Sequence, residues 1–318
     1  MPAPLTPLSR FALVLVSALL ARCISLPKHT ETAEAPVLPA APESLRPSVV
    51  CSPLQGNPFA MRKKVLVLGM PVQRPLEATD LPDLDSAWSR ALQQRLQATD
   101  HFLVRDGSAY FPGPEENVRK EIIALAKKFD AQIVIAGLFT SLGSQSGRIP
   151  LGQLGSVPRP FGDQRVMEIE LDLYDGYFGT RLKRLRHETR VEGEVVNQGS
   201  APLRGGFFLT TLGQAMSGVL DRQVADIEDE LACLPLQARI VHAKSRDLQI
   251  DVGFTSNLRP GDVLRVFQPT GIPVGEGGQI EKSMGNLEIK DVFPESATGQ
   301  FVGDPLPDWG YSAYIRAW

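Results

Sequence analysis

The hydrophobic pattern of this chain changes period near residue 238, and that change constrains the fold more than any single motif does. Between residues 65 and 231, short apolar runs alternate with segments whose apolar residues recur every three to four positions. Beyond residue 238, apolar and polar residues alternate in short stretches separated by turn residues. The pattern predicts an α/β or α+β domain over residues 61–236, followed by a small β-barrel over residues 237–318.

Within the first predicted domain, buried strands are expected at residues 65–68, 102–104 and 131–139. Helices are expected between them and again before Cys233, from apolar stripes at helical spacing. The stripe of the first helix is Leu84, Trp88, Ala91, Leu92 and Leu96, and that of the last runs from Leu212 to Leu231. Because strands alternate with helices, the core of the sheet should be parallel. Asp80, Asp83 and Asp85 are interpreted as acids at the start of the first helix, where negative charge is favoured.

Residues 141–165 are rich in glycine and proline and are predicted to form a long loop. An antiparallel hairpin should follow, because apolar and charged residues then alternate along two segments. Antiparallel pairing would place Asp172 opposite Arg184 and Glu170 opposite Arg186. The basic residues Arg181, Lys183, Arg184 and Arg186 are therefore interpreted as a solvated hairpin face.

The first 22 residues have the form of an export signal. Arg10 precedes an apolar run at residues 11–20, which is too short to cross a membrane as a helix. The alternative is a buried N-terminal helix. Cys23 stands where a lipoprotein would be processed and acylated, although Arg22 is larger than the residue usual before such a cysteine. Cleavage after Ala21 is the competing interpretation.

Residues 23–60 carry seven prolines and few large apolar side chains, which predicts an extended tether. Of three cysteines in the chain, Cys51 and Cys233 remain if Cys23 is processed. An even pair in an exported chain predicts a disulfide between them. Two unrelated buried thiols are the alternative.

No catalytic, cofactor-binding or metal-binding constellation is recognisable in the sequence. Phosphate-loop spacing is missing, and the four histidines are scattered away from other metal ligands. The acids around Asp83 lack the glycine and terminal glutamate of a calcium loop. A net charge of −3 gives no reason to expect nucleic acid as a partner. The sequence therefore predicts a protein that is not an enzyme and needs no cofactor.

The ordered set of elements resembles the middle and C-terminal domains of the flagellar assembly protein T family. The resemblance covers about residues 60–318. It lies in the strand at 65–68, the helix through Trp88, the strand at 131–139, the hairpin to Val195, the Cys233-Leu234-Pro235 run, the 258–262 turn and the strand start at 285–289. It implies a first domain like the N-terminal domain of the translocation protein TolB, followed by a small barrel. We expect no counterpart of the family's N-terminal domain, because only the predicted signal and tether precede residue 61.

The resemblance implies a non-catalytic periplasmic component needed to assemble a ring around the flagellar basal body. Its expected partners are basal-body ring proteins and other copies of itself, with outer-membrane anchoring if Cys23 is acylated. Two alternatives stay open at this point. One is an outer-membrane-associated lipoprotein scaffold of another envelope machine, and the other is an envelope hydrolase with an unrecognised site.

Overall fold

A computed structural model describes most of the chain after residue 60. The described residues are 61–112, 115–145, 148–150, 156–158, 163–193, 195–197, 199, 201–274, 278–303 and 313–317. The predicted signal, the tether, Cys23 and Cys51 lie outside them. No helix in these ranges is long and apolar enough to cross a membrane.

The first part of the described chain alternates strands with helices, as its periodicity predicts. In chain order the elements are β1 (Lys63–Leu68), α1 (Leu84–Ala98), β2 (Phe102–Gly107), α2 (Glu115–Lys128), β3 (Ile133–Ser141), β4 (Ser144–Gln145), β5 (Arg148–Pro150), β6 (Ser156–Pro158), β7 (Gln164–Asp175), β8 (Arg181–Glu192) and α3 (Thr211–Ala232). The strand at residue 65 begins two residues earlier than predicted. Lys63 and Lys64, which lie just before the predicted strand, are buried within the observed one.

The sheet combines a parallel core with an antiparallel hairpin. β1 pairs in parallel with β2 on one side and with β3 on the other. β7 runs antiparallel to β3, and β8 antiparallel to β7. The predicted parallel core is therefore confirmed for the first three strands, and the change of direction after β3 makes the whole sheet mixed.

Helices α1 and α3 pack on one face of this sheet. Their apolar stripes bury Trp88, Leu92, Leu220 and Ile227 against the strands. The indole of Trp88 donates a hydrogen bond to Gln223 Oε1 at 3.0 Å, which joins the two helices inside the core. A buried indole nitrogen needs a hydrogen-bond acceptor, and without Gln223 this nitrogen would be buried with no partner.

Helix α2 covers the other face over β1, β2 and β3. Ile122 and Ala126 of the helix contact Leu66, Leu68 and Val134 of the strands. Further along the same face, β7 and β8 present charged side chains instead of apolar ones. The second face is therefore apolar under α2 and charged beyond it.

The region predicted as one long loop, residues 141–165, contains regular structure. β4 continues the pairing with the start of β7, and β5 pairs with β6 as a separate antiparallel ribbon. Arg165, placed by the prediction at the end of the loop, is instead the second residue of β7. The glycine and proline content did not indicate these strands, because a strand of two or three residues is too short to show an alternating pattern.

The second part of the described chain is a closed six-stranded antiparallel barrel, as predicted. Its strands are β9 (Leu236–Lys244), β10 (Asp247–Ile250), β11 (Val263–Val274), β12 (Gly278–Val292), β13 (Ala297–Gly303) and β14 (Tyr314–Ala317). Around the barrel the order is β10, β13, β12, β11, β14, β9. Alternate residues such as Leu248, Ile250, Leu287 and Phe301 fill its core. With its edge strands joined, the closed barrel leaves no open sheet edge.

Candidate functional site

The described residues carry their densest polar network where the barrel meets the α/β sheet. Lys64, near the start of β1, is at its centre, with a side chain only 4% exposed. Its ammonium donates to the carboxylate of Asp130, which lies between α2 and β3. It also donates to the backbone carbonyl of Asp251, in the barrel, at 2.5 Å. One buried cation therefore ties the sheet to the barrel, and we call the surrounding contacts the junction.

Asp251 also contributes its side chain to the junction. Its carboxylate accepts a hydrogen bond from the backbone amide of Arg239 at 2.6 Å, which holds β9 against the end of β10. Burial raises the pKa of Asp251 to about 6, since the hydrogen bond and the charges of Lys64 and Arg239 only partly offset the loss of water. The junction thus contains an acid that titrates in a mildly acidic range.

The turn between β7 and β8 reaches into the junction from the sheet side. Asp175 closes this turn, because its Oδ1 accepts from the amides of Tyr177 and Phe178 at 2.7 and 3.0 Å. Burial raises the pKa of Asp175 despite these bonds. From the barrel, the Gln237 side chain donates to Asp175 Oδ2 at 3.4 Å. The turn is thereby fixed to the first barrel strand.

Aromatic side chains fill the space between the turn and the barrel. Tyr314 of β14 lies 5.5 Å from the ring of Phe178 and 6.4 Å from that of Tyr177. Phe267 of β11 stacks on Tyr314, with the two ring centres 6.1 Å apart. The guanidinium of Arg239 lies 4.6 Å from the ring centre of Tyr177, within the range of a cation–π contact. Aromatic rings of the β7–β8 turn therefore pack against aromatic rings of the barrel.

Further bonds surround this centre. Gln132 donates from its side chain to Pro235 O at 2.7 Å, and the amide of Arg62 donates to Ser256 O at 3.2 Å. Arg105 of β2 pairs with Glu295 of the barrel at 3.2 Å. Ionic, hydrogen-bonding and aromatic contacts thus hold the two parts in one orientation. The residue pattern did not predict this junction; two lysines directly before an apolar run were its local signal in the sequence.

Arg165 forms a second network at the opposite end of the sheet, which the residue pattern did not predict. Its guanidinium, 1% exposed, pairs with both carboxylate oxygens of Asp80. Asp80 also accepts from the amide of Asn197 at 2.9 Å. Burial alone would raise the pKa of Asp80, but the bonds from Arg165 and Asn197 outweigh it and the pKa is lowered. Asp80 therefore binds an arginine of β7, and its interpretation as a helix-start acid is wrong.

The predicted register of the hairpin is confirmed. Asp172 lies opposite Arg184 and Glu170 opposite Arg186. Arg184 donates from Nε and Nη2 to the two oxygens of Asp172, each at 2.7 Å, whereas Arg186 pairs diagonally with Glu168. Arg181, Arg184 and Arg186 are exposed as expected. Lys183 belongs to the other face, where it pairs with Glu230 of α3 at 2.7 Å.

Of the predicted site cysteines, the described residues include Cys233. It lies at the C-cap of α3 and is disulfide-bonded. Its predicted partner Cys51 and the predicted lipidation site Cys23 lie outside the described ranges, so both assignments stay predictions. Within those ranges, no group of three or more His, Cys, Asp or Glu side chains is arranged to hold a metal ion.

No protein-family model matches this sequence, and no curated protein matches it. Solved structures similar to part of the chain include a hypothetical protein from Chlamydia trachomatis, with 13% identity over 54% of this chain and 98% of that one, at a TM-score of 0.38. The PelC dodecamer from Paraburkholderia phytofirmans has 15% identity over 53% of this chain and 89% of that one, at a TM-score of 0.31. A lipoprotein from Neisseria meningitidis has 15% identity over 52% of this chain and 99% of that one, at a TM-score of 0.29. Similarities this low carry no argument about function.

Proposed function

We propose that this chain is a non-catalytic periplasmic component that helps to assemble a ring around the flagellar basal body. It would act through binding geometry: a tether delivers a rigid pair of folded parts to neighbouring ring proteins and to further copies of itself. The flagellar assignment rests on the resemblance of residues 60–318 to the flagellar assembly protein T family.

The observation that supports a scaffold role is the junction. A subunit of a ring must hold its contact surfaces at a constant angle, since small angular errors accumulate around a closed assembly. Lys64, the ring of Tyr314 and the Arg105–Glu295 pair each connect the sheet to the barrel. Because these contacts are of three different kinds and come from separate elements, they should resist both hinge and twist motions of the barrel relative to the sheet.

A deletion strain tests the flagellar assignment. Removing the gene should reduce swimming and the number of intact basal bodies without changing growth rate, and the chain should be found in purified basal bodies. Normal swimming with normally formed basal bodies would reject the assignment and favour a scaffold of another envelope machine.

Junction variants test the scaffold mechanism separately. Lys64→Met and Tyr314→Ala should loosen the attachment of the barrel and impair complementation of the deletion strain. Lys290→Ala is a matched control, because Lys290 is exposed on the barrel and pairs only with Glu288 of its own strand among the described residues. If both junction variants are exported at normal levels and complement fully, a fixed junction is not what the function needs.

A further inference from the structure

A groove lies on the second face of the sheet, between helix α2 and the β7–β8 hairpin. Its volume is about 550 Å³, a size typical of small-molecule and short-peptide sites. The groove exists because α2 covers only the first three strands of this face. Ala136 and Leu138 of β3 form an apolar part of its floor, and Pro71 and Pro112 form its apolar rim.

Arginine side chains from both walls line the groove. Arg119 of α2 is fixed by a hydrogen bond from its Nε to Phe178 O at 2.9 Å. Arg181 approaches Asp172 only to 3.9 Å, beyond hydrogen-bond distance. Arg184 binds Asp172 with two bonds of 2.7 Å, whereas neither of the other two guanidinium groups forms an ion pair within hydrogen-bond distance among the described residues. Three arginines against two acids give the lining a net positive charge.

Hydrogen-bond acceptors lie next to the apolar floor. Glu170, whose side chain is 25% exposed, meets Arg184 at 3.6 Å, again too far for a hydrogen bond. Tyr174 donates its hydroxyl to Asp172 at 3.2 Å. The groove therefore offers a carboxylate that can accept hydrogen bonds, an apolar floor, and arginines that can bind an anion.

We propose that this groove binds the C-terminal end of an extended, apolar peptide. The terminal carboxylate would pair with Arg119 and Arg181, apolar side chains would lie over Ala136 and Leu138, and a backbone N–H would donate to Glu170. Arginine suits a carboxylate because its planar donors match the two oxygens. A fatty acid would satisfy the arginines but has no donor for Glu170, and its chain would lie against a charged carboxylate. This site does not depend on the flagellar assignment.

Binding of labelled peptides to the purified full chain tests the proposal. The probe is a pool of fluorescein-labelled pentapeptides built from alanine, valine and leucine with a free C-terminal carboxylate, followed by fluorescence anisotropy. A matched pool has amidated C termini. The free-acid pool should bind with sub-millimolar affinity, and the amidated pool about tenfold or more weakly, the factor expected for a lost charged hydrogen bond.

Variants locate the binding. Arg181→Gln should weaken free-acid binding about tenfold or more and leave the amidated pool unchanged. Arg119→Gln should act in the same way. Lys120→Gln, a neighbouring exposed cation outside the groove lining, should have no effect. Equal binding of the two pools, no binding of either at millimolar concentration, or complete displacement by micromolar decanoate would each overturn the proposal.

Discussion

Arg165 and Asp80 form a two-pronged ion pair across 85 residues of chain, with nitrogen–oxygen distances of 2.7 and 2.9 Å. The remaining donors of the guanidinium reach the backbone carbonyls of Leu142, Val195 and Glu77 at 2.7–3.1 Å. One buried side chain thus joins the start of β7 to three separate connecting segments. These segments have little regular structure, so this arginine holds that end of the sheet together.

Replacing Arg165 with alanine should destabilise the protein by about 3–5 kcal/mol, the usual cost of removing one partner of a buried ion pair. The substitution removes both charged donors to the Asp80 carboxylate, which keeps the amide of Asn197, and it removes the Arg165 donors to three backbone carbonyls. Urea unfolding followed by Trp fluorescence measures the effect. Arg190→Ala, at an exposed position of β8, is the control and should change stability by less than about 0.5 kcal/mol. A similarly small effect of Arg165→Ala would show that the Arg165 network contributes little to the stability of the fold.

Asp251 should make the folded protein less stable as pH rises from about 4 to 7. Its pKa is about 6 in the fold against an ordinary value of 3.8. The folded state therefore binds the proton more tightly, and this contribution is complete below pH 4 and lost as pH passes 6. The contribution is at most about 3 kcal/mol.

Asp251→Asn tests this directly, because the amide oxygen can still accept from Arg239. The stability difference between variant and wild type, measured by urea unfolding at several pH values, should shift in favour of the variant between pH 4 and 7. Asp247→Asn, at an exposed position of β10 outside the junction, is the matched control. A pH-independent difference for Asp251→Asn would contradict the assigned titration.

Cys233 is disulfide-bonded, and we predict Cys51 as its partner. Cys51→Ser and Cys233→Ser should each cost about 2–4 kcal/mol, because the bond restricts the unfolded chain over a long loop. The double variant should be no less stable than either single variant. Peptide mapping of the unreduced mature protein identifies the pair directly. Free alkylation of Cys51 in protein taken from the periplasm would exclude this pairing.

Export should depend on the apolar run at residues 11–20. Charged residues in place of Leu13 and Val16 should keep the protein in the cytoplasm, since the signal would lose its apolar character. Full export of that variant would reject the predicted signal. Incorporation of labelled fatty acid that is lost in Cys23→Ala would show acylation, whereas an unlabelled wild type would favour cleavage after Ala21.

The elements whose partners are close in sequence could be predicted from residue patterns. Alternation of charged and apolar residues sets the register of Asp172 against Arg184, because a slip of one residue would turn every apolar side chain toward water. Helical spacing similarly places Trp88 and Leu92 on the buried face of α1. These results follow from backbone geometry, which repeats every two residues in a strand and every 3.6 in a helix.

The networks that position the parts of the molecule depend on the tertiary structure. Lys64 and Asp251 are 187 residues apart, and Arg165 and Asp80 are 85 apart. In the sequence, Lys64 lies just outside the predicted strand, and Asp80 was interpreted as a helix-start acid. Their actual partners depend on the path of the intervening chain. The spacing of apolar residues in a strand or helix does not predict that path. The sequence by itself therefore determined the long strands, the helices and most of the faces that they bury. Only the tertiary structure decided which buried charges meet, because burial makes pairing necessary but leaves the partner open.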